Sequence, residues 1–154
     1  MILSSIYTFI ATLSFSILAN IRGKNLIFAS LGGGITWFLY LFTSSYLHIP
    51  NTFCFFIASI FASAYSEIMA RVLKAPVTTF IISSIIPLVP GGGMYYTMYE
   101  TVQGNINSSL ALGIQTIAIA GTVAVTVFLV SSISKTMVLF RVKLKSKFNK
   151  SRSN

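Results

Sequence analysis

Glu67 and Glu100 are the only acids in the chain. Carboxylates inside apolar segments are expensive and usually functional. Glu67 stands one helical turn before Arg71, so an i,i+4 ion pair is sterically available. Two readings of Glu67 stand side by side. It is a structural partner of Arg71 near a membrane interface, or a protonatable group on a polar pathway. Glu100 shares a helical face with Tyr96 and Gln103. It is either hydrated near the outer interface or lines a route inward. The other residues placed for chemistry are Pro87, Pro90, Gly91, Gly92, Gly93, Met94, Tyr95 and Tyr96. A helix starting just after Gly93 leaves its first N–H groups without helical partners, and its dipole favours a carboxylate there. Glycine lets a ligand approach the backbone and permits positive φ. Tyr95 and Tyr96 would wall such a pocket, whereas Tyr99 reads as an interface anchor. The plain alternative is a kink that serves packing alone.

Metal and cofactor chemistry have no foothold. His48 and Cys54 are single residues, and no HExxH or G-x-S-x-G motif occurs. His48 reads as a solvated turn residue and Cys54 as a small packing residue. No enzyme is expected, and no cofactor.

The element that must position these residues is 76–103. It has no Lys or Arg, and as one helix it would reach roughly 42 Å, enough to cross a bilayer. It cannot be one straight helix. Proline removes a backbone donor and clashes with the turn before it. Each glycine costs roughly 1 kcal/mol in a helix interior relative to alanine. The expected form is two half-helices, 77–87 and 94–103, around a non-helical 87–93. The first would span about 16 Å, which puts the break near the middle of a ~30 Å hydrocarbon core. Discontinuous helices are the best sequence pointer to a transporter's substrate site.

The rest of the chain reads as membrane helix. Of its 154 residues, 55% are hydrophobic and 8% charged, far below the roughly 25% charge of a soluble domain. Apolar runs predict helices at 2–20, 26–46, 52–72 and 109–134 besides the broken one. The fold class is thus all-α, a polytopic bundle of five spans with the fourth broken at 87–93. Residues 1–134 form the membrane domain and 135–154 a basic tail that suits anionic lipid headgroups. Small residues at helical spacing predict packing faces: Ser59, Ser63, Ser66 and Ala70 on one helix, Gly113, Thr116, Ala120 and Ala124 on another. The net charge of +9 does not indicate nucleic acid, because it sits at the ends of apolar segments and in the tail.

The combination Glu67-Ile-Met-Ala-Arg71, Lys74-Ala-Pro76 and Pro87-Leu-Val-Pro-Gly-Gly-Gly93 with Tyr95-Tyr96 resembles the threonine/serine exporter family. The length and five spans are similar to its small separate subunit. That resemblance implies a larger five-span membrane subunit as partner. It implies export of small carboxylate metabolites across the plasma membrane, either threonine and serine or dicarboxylates such as succinate. An assembly scaffold and a channel-like pore are the alternatives.

With five spans, every Lys and Arg falls on one side, at 22–24, 71–75 and in the tail, and none falls on the other. The positive-inside rule then puts the N-terminus outside and the C-terminus in the cytoplasm. Ser108→Cys and Ser151→Cys, each in a Cys54→Ser background, should therefore react oppositely with an impermeant thiol reagent. Labelling of the Ser151→Cys protein from outside intact cells rejects this topology.

Overall fold

The computed structural model describes residues 1–46 and 49–152, with backbone alone at 139 and 141–152. His48 and the tail side chains from Arg141 to Arg152 lie outside the described residues. Six α-helices follow one another: α1 (Ile2–Leu18), α2 (Lys24–Tyr46), α3 (Asn51–Val72), α4 (Val77–Ile85), α5 (Gly91–Val102) and α6 (Ile106–Arg152). Among the described residues there is no strand. Three helices are long and apolar enough to cross a bilayer, and there are four if the bent pair α4–α5 counts as one span. At 17 residues α1 is shorter.

Three of the connections close in the same way. Asn20, Lys74 and Gly104 take φ of 59°, 51° and 79° just after α1, α3 and α5. The next residue then donates its N–H back into the last turn: Ile21 to Ser16, Ala75 to Ala70 and Asn105 to Glu100, each at 3.0 Å. This is the Schellman arrangement, which satisfies carbonyls the helix end would leave bare.

The break is smaller than the sequence suggests. Pro87 cannot donate, so the helix tightens into a single 3₁₀ turn, Ile86–Leu88. Val89 is extended, as a residue before proline should be. Pro90 then caps α5, whose first turn is Gly91, Gly92 and Gly93. The glycines are therefore helical, and only Val89 and Pro90 lie between the two helical pieces. The pair bends by 47°. It does not double back. Gly93 lies against Thr116 while Thr101 pairs with Ser109, so α5 runs antiparallel to α6.

Helix α4 lies between α2 and α3, α1 flanks α2, and α6 packs on both α3 and α5. Close approach comes from absent side chains. Gly32 leaves room for Tyr65 and Ser84, Gly33 for Thr12 and Gly34 for Phe9. The α3 stripe Ser59, Ser63, Ser66 and Ala70 is buried as expected. On α6 the face is rotated from the expected one: Thr116, Ile119, Thr126 and Ser134 are buried, whereas Ala120 and Ala124 are exposed. The reason is that α3 and the 3₁₀ turn offer Phe55, Ala58 and Leu88 to Ile119, with Val123 packed alongside. Helix α6 also starts earlier than expected and continues through residue 134 without interruption.

One end of the bundle gathers the basic turns. Ile21 from the first and Leu73 and Ala75 from the second pack on Ala29, Ala70 and Phe80. A Cβ at Gly33 would stand 2.6 Å from the Thr12 hydroxyl, while one at Gly121 meets open space. Gly33→Val should cost about 1–3 kcal/mol through overpacking. Gly121→Ala should be neutral or stabilise by up to about 1 kcal/mol. Unfolding of the purified protein in mixed detergent measures both.

Candidate functional site

The bend between α4 and α5 opens a cavity of about 290 Å³. Pro87, Val89, Pro90, Gly91, Gly92 and Gly93 form one wall, Gln115, Thr116 and Ile119 of α6 another, and Trp37, Asn51 and Phe55 the third. The residues singled out at 87–93 thus do line one space. Met94, Tyr95 and Tyr96 do not line it. They are more than half exposed, and no α5 residue is buried. Tyr95 instead meets Tyr96 edge-on at 5.3 Å and stacks on Tyr99 at 6.3 Å.

Two donors remain free at the start of α5. Gly91 N–H reaches the Val89 carbonyl at 2.7 Å, and Met94 N–H reaches that of Pro90 at 3.1 Å. Met94 therefore has no N–H to offer, against expectation. Gly92 and Gly93 are first-turn donors that their own helix cannot pair, and no acceptor among the described residues takes them. The glycines are not there for positive φ, which among the described glycines occurs at Gly23 and Gly104. They serve proximity, and differently at each position. A Cβ on Gly91 or Gly92 would meet nothing within 4 Å, whereas one on Gly93 would press on the Thr116 side chain.

Around the free donors the other polar groups are held in place. Thr116 Oγ1 donates to the Leu112 carbonyl at 2.7 Å. Tyr40 donates to Asn51 Oδ1 at 2.9 Å while stacking on Trp37 and packing on Phe55. Trp37, Asn51 and Gln115 carried no site signal in the sequence, because only the helix crossings bring them to the glycines. Trp37 and Pro87 also separate this cavity from a second one of about 210 Å³ against Thr8, Ala11 and Thr12 of α1.

Glu67 is elsewhere. Its carboxylate accepts from Ser134 Oγ at 2.8 Å and from Arg71 at 3.4 Å. Arg71 also donates to the Ser134 hydroxyl and, at 3.4 Å, to its carbonyl. The expected pair exists, and Ser134, which the sequence did not single out, turns it into a clasp between α3 and α6. Along α3, Glu67 stands on the order of 20 Å from the cavity wall at Phe55. Glu100 is not at the cavity either: it accepts from Asn105 Nδ2 at 2.7 Å across the α5–α6 turn.

The clasp predicts an asymmetry. Arg71→Met leaves a nearly buried carboxylate short of its counter-ion and should destabilise by up to about 3 kcal/mol, since the Arg71 side chain is 46% exposed. Glu67→Gln with Arg71→Met should restore stability, because neither charge is then stranded. If export activity returns with stability, Glu67 acts only as a partner. If it does not, the carboxylate works in the pathway.

Comparison with known proteins adds one positive finding. A family model described as "Threonine/Serine exporter, ThrE" matches residues 4–133. No curated protein and no solved structure matches the chain. The matched span runs from the first turn of α1 to the residue before Ser134, and so includes the bend, the cavity walls and the acid–base pair. The chain is a multi-pass membrane protein that belongs to the threonine/serine exporter family.

Proposed function

We propose that this chain is one subunit of a secondary exporter that moves small carboxylate metabolites out across the plasma membrane, together with a larger five-span membrane subunit. The substrate is threonine, serine or a dicarboxylate such as succinate. Its carboxylate would sit against the Gly92 and Gly93 N–H groups, with Gln115 and Asn51 within the same cavity. The observation that carries this reading is that the free N–H groups lie at the open cavity, with Gly91 and Gly92 exposed. Lipid cannot satisfy backbone donors, so such a surface belongs against water or protein. The positive end of α5 favours an anion there.

The same argument supports a partner. Met94, Tyr95 and Tyr96 would enter the site only where a second subunit closes it. Five crossings, counting α1 and the bent pair as one each, would place an N-out half against an N-in half, as in inverted-repeat transporters. The basic end would then face the cytoplasm, and the tail would lie against anionic lipid.

Substrate flux into proteoliposomes, with and without the larger subunit, tests the assignment. Saturable flux should require both chains. Robust saturable flux from this chain alone refutes the two-subunit reading, and non-saturable flux indicates a pore. Within the complex, Gly92→Val should weaken substrate binding by at least about tenfold, roughly 1.4 kcal/mol. Its stability should not change, because a Cβ there touches nothing. Gly93→Val and Gly113→Val are the packing controls, since their side chains would meet Thr116 and Thr97. Unchanged affinity in Gly92→Val moves the site elsewhere.

A further inference from the structure

Among the described residues, no charged side chain lines the cavity at the bend. Its wall offers donors more readily than acceptors. The Gly92 and Gly93 N–H groups are unpaired, but the Val89 carbonyl already takes Gly91 N–H at 2.7 Å. Asn51 Oδ1 accepts from Tyr40 at 2.9 Å. Thr116 gives its proton to the Leu112 carbonyl at 2.7 Å. Gln115 differs from these. It is exposed and makes no hydrogen bond among the described residues. Its amide therefore brings the cavity both a free oxygen and a free NH₂ group.

The position of Gln115 makes that freedom costly. It stands roughly 14 Å along α6 from Ile106, on a helix apolar enough to cross a bilayer. Lipid at that depth cannot satisfy an amide, so water, a ligand or another chain has to. Leu112 and Ile119 flank Gln115 at helical spacing and line the same cavity, so Gln115 belongs to the cavity face of α6. The next residue, Thr116, lies against Gly93. That contact sets the Gln115 backbone beside the start of α5.

We infer that Gln115 is the specificity-determining residue of this cavity. With the substrate carboxylate at the Gly92 and Gly93 N–H groups, the Gln115 amide meets the polar group at the substrate's far end. The inference rests on the function proposed above and deepens it. A neutral amide serves either kind of far end: Oε1 accepts from an ammonium, and Nε2 donates to a second carboxylate. A fixed charge at this position would choose between them, because an unpaired or like-charged group away from water is excluded.

Radiolabelled threonine and succinate, titrated separately against the purified two-subunit complex in lipid nanodiscs, test this. Gln115→Met keeps the length and removes the amide. It should weaken each ligand that the parent binds at least about tenfold, with the thermal midpoint and co-purification of the larger subunit unchanged. Gln115→Glu should keep threonine and lose succinate, and Gln115→Lys should do the reverse, each loss again at least about tenfold. So whichever ligand the parent binds, one charged variant keeps it and the other loses it. A merely structural role would weaken both ligands alike. Parent-like affinity in Gln115→Met overturns the inference, and so do equal losses in the two charged variants. Loss of the larger subunit from Gln115→Met also overturns it, by assigning the amide to the subunit contact. A parent complex that binds neither ligand refutes the function proposed above, and the inference falls with it. Where the parent binds, the variant results bear on Gln115 alone.

Discussion

Lipid offers no hydrogen bond to a peptide group, and this structure is arranged around the few residues where a helix cannot supply its own. Pro87 and Pro90 each remove a donor within one turn. The chain answers with the tightest device available, a 3₁₀ turn and one extended residue, before helix resumes at Gly91. The Gly92 and Gly93 N–H groups belong to residues that line the cavity walled by α6 and Trp37. They are left unpaired because the first turn of α5 has no helical acceptor for them.

Helices in a membrane gain little from burying apolar surface against each other, so they associate through close contact and hydrogen bonds. The core reflects this. Apart from Phe80 and Leu88, the largest fully buried side chains are Thr, Ser and Cys. Gly32, Gly33 and Gly34 bring α2 close enough to touch α1, α3 and α4 through Thr12, Tyr65 and Ser84. The α5–α6 contact uses the same materials. Ser109 donates to the Thr97 carbonyl at 3.0 Å and pairs with Thr101 at 2.6 Å. Large apolar side chains are left outside, over most of α5 and α6.

The acid–base pair does a different job at the other end. Glu67 is 8% exposed, and a carboxylate there needs more than one donor. Arg71 supplies charge from its own helix, and Ser134 supplies a hydroxyl from α6. The clasp thus ties α3 to α6 close to the end where the basic turns meet. Charge and cavity are separated along α3, so a substrate at the glycines would not touch Glu67.

Composition and hydrophobic runs were enough to determine the all-α membrane class, the helices and the place of the bend, and the i,i+4 spacing offered the Glu67–Arg71 pairing. Each is a local property, governed by transfer to lipid, by proline's missing donor or by i,i+4 spacing within one helix. The stripe on α3 was legible too, because its four small residues repeat at helical spacing. The tertiary structure alone decided that the three glycines are helical, since α5 can begin at Gly91 once Thr116 fills the space Gly93 leaves. It alone turned α6 to bury Ile119 and Thr126 in place of Ala120 and Ala124. It alone brought Trp37, Asn51 and Gln115 to the bend, and Ser134 to Glu67. These are contacts between helices far apart in the chain. No periodicity within a single helix specifies which neighbour its face will meet.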